Sequence, residues 1–196
     1  MFNEEDKKSI TVAKGTLIAL FNKKMSDLKD DQLKSMFFDK CIISGGAIAS
    51  ILLGTKVNDI DVYSKKTSDI SLIAKYLIDR PDLVKSLDDE KYADSMPYMV
   101  SPGKLVTHNA ITLTNDVQFI TLSSEEDGVR KNFDFIHCMP YYDIQSNKLF
   151  ISEAQMNSIK EVKLVLNPSK KVASAPRIHK YVSRGWKKTW DDVQVI

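Results

Sequence analysis

The sequence predicts a mixed α/β (α+β) domain in which short strands and helices alternate along the chain. Three observations carry this expectation. Ile10, Ala13, Leu17, Leu20 and Phe21 recur at helical spacing near the N-terminus. Short apolar runs bounded by turn residues recur near 41–44, 58–63, 111–122 and 133–138. Helix-like stretches at 47–53, 68–77 and 152–166 lie between or after those runs.

Taken in order, the first amphipathic helix ends near Lys24, and Asp31 to Phe38 forms a second, short one. Lys40 to Ser44 reads as a strand stopped by Gly45-Gly46. Ala47 to Leu53 is a helix closed by Gly54. Asn58 to Tyr63 is a strand of period two, so Asp59 and Asp61 share one face while Ile60 and Val62 share the other. Ser68 to Leu77 is helical, and Pro81 opens a turn. The acids, prolines and glycine of 88–104 mark a loop. "NAITL" and "VQFITL" form a hairpin about Asn115-Asp116. Glu125 to Asn132 suggests a helical turn, and "FDFIHCM" a further strand. Ser152 caps a helix running to Leu166, with Glu153 and Gln155 in its first turn. A basic helix over 177–187 closes the chain.

At 196 residues, 43% hydrophobic and 28% charged, the chain fits one domain, or one with a small appendage. A net charge of +2 points to no partner class by itself. The charge is clustered instead: Lys and Arg crowd 160–188, and acids crowd 88–94 and 125–127. Cys41 and Cys138 are the only cysteines and lack C-x-x-C spacing, so they read as reduced core thiols. No apolar run reaches the roughly 18 residues of a membrane span, and "MFNEEDKKSI" is too polar for a signal peptide. A soluble protein of the reducing cytoplasm, without a membrane partner, is the expectation.

Two carboxylates on one strand face stand about 6 to 7 Å apart, twice the strand rise. At that distance they can jointly hold a divalent cation, or two ions roughly 3.5 to 4 Å apart. A glycine turn that opens a helix suits an anion, since its N–H groups point outward and no side chain blocks the approach. Gly45-Gly46 followed by Asp59-Ile60-Asp61 is therefore equipment for a nucleoside triphosphate with Mg²⁺ or Mn²⁺. Either feature alone also suits a solvated strand face or an ordinary helix start.

This order resembles the nucleotidyltransferase superfamily (DNA polymerase beta-like), and within it the bacterial poly(A) polymerase and CCA-adding enzyme family. "GGAIASILLGTKVNDIDV" is similar to that family's Gly-Gly-x-Val-Arg-Asp-x-Leu-Leu-Gly followed by Asp-Ile-Asp. "RKNFDFIHCMPYYD" looks like its Arg-Arg-Asp-Phe-Thr-Ile-Asn-Ala-Leu-Ala-Tyr-Asp, aligning Asp134-Phe135 and Tyr142-Asp143. "PRIHKYVSRGW" looks like its Pro-Leu-Arg-Ile-Leu-Arg-Ala-x-Arg-Phe helix, aligning Arg177, Lys180 and Arg184. The resemblance implies a curved mixed sheet of at least four strands with helices mainly on one face. It implies a catalytic domain over 1–150 and a helical extension over 151–196 like the start of a neck.

It also implies transfer of a nucleotide from an NTP to an acceptor, an RNA 3′ end first of all. Asp59 and Asp61 would hold the metal, and Ser44, Gly45 and Gly46 would line the phosphates. Asp134 is the third carboxylate, as ligand or base, or else a structural cap or sugar contact. Arg177, Lys180 and Arg184, at i, i+3 and i+7, would meet triphosphate or RNA, or else form a solvated helix face. His137 reads as a packed or hydrogen-bonded core residue, and Trp186 and Trp190 either stack on bases or pack the chain end.

The departures matter as much. The family's Arg-Asp after the glycines is Ala49-Ser50 here, and a hairpin position that often carries an acid is Gln118. "EEDGVR" at 125–130 mimics the family's base-selecting motif but precedes the strand it should follow. The chain stops near residue 196 without the helical body that grips tRNA, so CCA addition is not expected while transfer chemistry is. The alternatives are a degenerate nucleotide- or RNA-binding module, or transfer to a protein or small molecule.

Overall fold

The computed structural model describes residues 2–86, 103–122, 131, 133–170 and 172–190. Helix α1 (Glu4–Leu28) starts at Asn3, whose side chain accepts the Asp6 N–H, and outruns its expected end by a turn. Lys29 then adopts a left-handed φ of 49° and turns the chain into α2 (Asp31–Lys40). Asp30 caps α2 through the Leu33 N–H at 2.7 Å. Strand β1 (Cys41–Ser44), α3 (Gly46–Leu52), β2 (Ile60–Ser64) and α4 (Thr67–Asp79) follow. After them come β3 (Ala110–Thr112) and β4 (Val117–Ile120), joined through Asp116 at φ 61°.

One sheet of six strands runs β3-β4-β2-β1-β5-β6, completed by β5 (Tyr141–Asp143) and β6 (Lys148–Phe150). β2 and β4 are parallel and the other pairs antiparallel, so the sheet is mixed. Its register sorts the side chains cleanly. Cys41, Ile43, Ile60, Val62, Val117, Phe119 and Ile111 fall on one face, all buried. They pack against Leu17, Phe21 and Met25 of α1, Leu33 and Phe37 of α2, and Ile70, Ile73 and Leu77 of α4. Burying seven such side chains supplies on the order of 10 kcal/mol before entropy is charged against it.

The opposite face carries two rows across the same strands. Ser44, Asp61, Gln118 and Thr112 make a polar row. Ile42, Tyr63, Ile120 and Ala110 make an apolar row beside it. A second core lies beyond α3, where Ala49 meets Phe135, Ile159, Leu164, Ala173 and Trp186. This core involves α5 (Glu153–Lys160), β7 (Lys163–Leu164), α6 (Ala175–Val182) and β8 (Lys187–Lys188), with β7 and β8 paired in parallel.

Three sequence expectations are corrected. The closing basic helix, expected over 177–187, spans Ala175–Val182: Gly185 turns the chain at φ 87° and Lys187–Lys188 pair with β7. "FDFIHCM" is not a strand: Phe135 bridges Leu166 and residues Ile136–Cys138 form a 3-10 turn. An apolar run buried on every side has no periodicity to separate strand from turn, and 135–138 are all buried. The strand beside β1 is instead Tyr141–Asp143. The helix begun at Ser152 has the expected capping box with Gln155 but ends at Lys160, not Leu166. Val162 takes a left-handed φ of 52° and the chain turns back into β7. The expected loop at 88–104 falls mostly, and "EEDGVR" wholly, outside the described residues. Among the described residues no helix is long and apolar enough to cross a membrane.

Candidate nucleotide and metal site

Strand β1 delivers the chain to Gly45 at φ 95°, a conformation that L side chains rarely adopt. Space enforces the same choice. A Cβ on Gly45 would stand 2.6 Å from Asp61 Oδ2. The glycine turn and the second aspartate are thus built against each other. The Gly45 N–H is already used, donating to the Cys138 carbonyl at 3.0 Å. The backbone donors left at this turn are those of the first turn of α3, which no side chain caps. Gly46 is freer: a Cβ there would meet the Tyr181 hydroxyl at an ordinary 3.7 Å.

Ser44 departs from its expected place. It is buried, and its hydroxyl donates to the carbonyls of Pro140 at 2.9 Å and Cys138 at 3.3 Å. It anchors the 3-10 turn on the cleft side of the sheet and is not among the residues lining the cavity.

That cavity, of about 750 Å³, is lined by Gly45, Gly46, Asp59, Asp61, Gln118 and Asp134 together with Arg177, Lys180 and Arg184. Its volume is that of a small-molecule site. Asp59 lies one residue before β2, and Asp61 within it. Asp61 is held protonated up to about 7, first by burial, next by the negative charge of Asp59, with Lys180 opposing both. Two acids that repel in this way are a place where a divalent ion lowers the energy of both ionised forms.

The donor set sets a limit. Asp59, Asp61 and the neighbouring Gln118 amide suit one hard cation that keeps open positions for phosphate oxygens or water. Among the described residues no group of three His, Cys, Asp or Glu side chains is placed to hold a metal.

Asp134 lies in the cavity wall, but its hydrogen bonds are those of a cap. Its Oδ2 accepts the Ser174 N–H at 3.1 Å and stands 3.3 Å from Arg177 Nη1. Its carbonyl accepts the Asn167 N–H at 2.8 Å. The carboxylate fixes the start of α6, which Pro176 then opens. Arg177, Lys180 and Arg184 all face the cavity with the two aspartates, although Arg184 lies just past the helix end. Arg177 is half exposed at 51%, leaving part of its guanidinium for a ligand.

Behind α6 stands an aromatic stack. The His137 ring lies 3.9 Å from Trp186 between centroids, nearly parallel, and 4.5 Å from Tyr181, edge on. The Tyr181 hydroxyl contacts Cys138 Sγ at 2.9 Å. His137 is fully buried with neither ring nitrogen hydrogen-bonded, and burial pushes its pKa down to about 3. Trp186 and Trp190 serve packing: Trp190 stacks on Phe135 at 5.8 Å. Sequence reasoning missed the apolar end of the cavity, made by Tyr63, Ile120, Leu122 and Phe133. The period-two phase of β2 and β4 was the available signal, since it puts Tyr63 beside Asp61 and Ile120 beside Gln118.

The model of the Gabija anti-defense 2 family protein matches residues 6–161. That span holds both aspartates and stops before α6. Among solved structures, a tRNA nucleotidyltransferase complexed with a primer tRNA and an incoming ATP analogue is 15% identical. It covers 76% of this chain and 43% of its own, with a TM-score of 0.48. The Bacillus stearothermophilus CCA-adding enzyme in complex with CTP is 14% identical over 77% of this chain and 37% of its own, TM-score 0.47. A tRNA-processing enzyme in an apo form is 16% identical over 96% and 45%, TM-score 0.48. The chain thus spans less than half the length of each. No curated protein matches it.

Proposed function

We propose that this chain, which belongs to the Gabija anti-defense 2 family, is a metal-dependent nucleotidyltransferase that moves an NMP from an NTP to an acceptor. The observation that supports this best is the juxtaposition in one cavity of Asp59 and Asp61, a glycine turn whose Gly45 has no room for a Cβ beside Asp61, and three cations on and just past α6.

Asp59 and Asp61 would hold Mg²⁺ or Mn²⁺. When bound, the ion polarises the α-phosphate and stabilises charge on the leaving pyrophosphate. The first turn of α3 offers backbone N–H groups to the phosphates. Lys180 and Arg184 add charge from the opposite wall, and Arg177 does so while tied to Asp134. The acceptor's hydroxyl attacks the α-phosphorus and the bond to the β-phosphate breaks. An RNA 3′ end is the first acceptor to test. In this reading residues 1–150 form the transferase unit, and 151–196 form the extension that carries α6 to the cleft.

The family description favours a second acceptor, a component of the Gabija system that the protein opposes. Gln118 beside Asp61 favours a third reading, a module that binds nucleotide without transferring it.

One experiment separates these. The protein is incubated with each α-labelled NTP, Mg²⁺ or Mn²⁺, and either total RNA or purified Gabija proteins. Label entering RNA, and lost in Asp61→Asn, supports the first reading. Label entering a Gabija protein supports the second. Metal-dependent NTP binding without incorporation leaves the binding module, and no metal-dependent NTP binding sinks all three. Cells carrying Gabija and expressing the wild type or Asp61→Asn test whether the cavity serves anti-defense.

A further inference from the structure

This inference rests on the transferase reading and concerns how many ions the site takes. Asp61 and Gln118 are register partners on adjacent parallel strands. Partners in neighbouring strands lie about 5 Å apart and project to the same face. Gln118 lies in the cavity wall with both aspartates. Of the two register partners of Asp61, Ser44 is buried and bonded to the Cys138 and Pro140 carbonyls while Gln118 lines the cavity, so 118 is the partner position from which a third carboxylate would join Asp59 and Asp61. It carries a neutral amide instead.

No other described acid supplies the missing charge. Asp134 lines the cavity, but its Oδ2 is tied to the Ser174 N–H and Arg177, which holds that side chain at the start of α6. The described residues contain no three-membered group of metal-ligating side chains. Two divalent ions roughly 3.5 to 4 Å apart bring four positive charges together. Here they would meet two protein carboxylates, and Lys180 and Arg184 in the same cavity add to the repulsion. One ion shared by Asp59, Asp61 and the phosphates of a nucleotide meets none of these objections.

We infer that the site is built for a single divalent ion, the one that accompanies the triphosphate, and that Gln118 sets this limit. The acceptor side of the cleft then has no ion of its own. An acceptor hydroxyl there must be oriented by protein groups alone. An amide at 118 can donate to that hydroxyl as well as accept from it, which a carboxylate cannot.

The test counts ions rather than turnover. Bound Mn²⁺ per chain is measured by native mass spectrometry and by electron paramagnetic resonance, with a non-hydrolysable NTP analogue saturating the protein. The wild type should hold one protein-associated Mn²⁺ per bound analogue across a rising Mn²⁺ series. Gln118→Glu should hold two, with spin–spin broadening between them, and Gln118→Ala should hold one. Gln118→Asp repeats the gain with a shorter side chain, should the Glu variant fold poorly. Two ions in the wild type would overturn the inference and leave the transferase reading standing. One ion in the wild type and in both acidic variants would overturn the role given to Gln118. A wild type that binds no analogue at all would remove the transferase reading and this inference with it.

Discussion

Two groups in this cavity should oppose each other in the pH dependence of stability. His137 is neutral in the fold down to a pKa of about 3, because it is buried without a hydrogen bond. The unfolded chain takes up that proton near the ordinary value of about 6.5. A depressed folded pKa means stability present above about 6.5 and lost as pH falls toward 3. At about 1.4 kcal/mol per pH unit, the loss at about pH 5 is roughly 2 kcal/mol.

Asp61 works in the other sense. Its folded pKa is raised to about 7 by burial and by Asp59. Its stability is complete below the unfolded value of about 3.9 and lost as pH rises through 7. Acidifying from about pH 7.5 to 5 therefore recovers up to about 2.5 kcal/mol, and roughly 2 once solvent reaching the half-buried carboxylate is allowed for. In wild type the two contributions nearly cancel.

Single variants expose each contribution. In metal-free buffer, His137→Phe keeps a ring against Trp186 and leaves Asp61 alone, so its stability should rise by about 2 kcal/mol on acidifying. Asp61→Asn leaves His137 alone and should fall by about 2 kcal/mol over the same range. Urea midpoints at the two pH values, converted with each variant's own slope, read the difference directly. The remaining carboxylates are common to all three proteins and drop out of the comparison. If both variants track the wild type within about 0.5 kcal/mol, the burial argument for His137 and Asp61 is wrong.

Three further outcomes follow from the geometry. Gly45→Ala places a Cβ at a φ of 95° and 2.6 Å from Asp61 Oδ2. It should cost about 1–3 kcal/mol and weaken metal-dependent NTP binding at least about tenfold in calorimetry; unchanged binding would detach the turn from the site. Arg177→Ala leaves the buried Asp134 carboxylate with the Ser174 N–H alone. It should cost about 1–2 kcal/mol in chemical denaturation, and Asp134→Asn in the same background should recover most of it. Lys180→Ala with Arg184→Ala should keep the wild-type melting temperature yet bind Mg·NTP more weakly, with a shallower salt dependence. An unaltered salt slope would return those two side chains to bulk solvent.

The parts of the molecule readable in advance are those whose signal is local. A strand stopped by two glycines, a helix closed by Gly54 and the Ser152–Gln155 box each depend on a few adjacent residues. Asp61 belongs with them, because strand alternation sets its face, whereas Asp59 falls just before β2 rather than inside the expected strand and reaches the cavity from there. The misread parts depend on distant chain. The 3-10 turn at 136–138 is held by Ser44, by Val165 across from Ile136 and by Trp186 stacked on His137. None of these lies within its own window. Asp134 reads as an acid on a strand until α6 arrives and takes its carboxylate as a cap. Val162 turns left-handed without a glycine or proline to announce it, and β8 then pairs beyond it.

The site also inherits its precision from the core. Ile60 and Val62 have no exposed surface and sit among three helices, which fixes the phase of β2. With a period of two, that phase sends Asp61 and Tyr63 to the opposite face. Slipping β2 by one residue would bring Asp61 against Phe37 and Phe119, and Ile60 into the cleft. The burial cost of an unpaired carboxylate forbids that register by several kcal/mol. The parallel pairing with β4 carries the same constraint to Gln118 and Ile120, since Val117 and Phe119 are buried on the helical side. The polar row and the apolar row of the cleft floor are thus the reverse side of the hydrophobic core. A ligand crossing both rows would set its charged groups over Asp61 and Gln118 and its flat, apolar part over Tyr63 and Ile120. The core alternation alone places those two halves side by side.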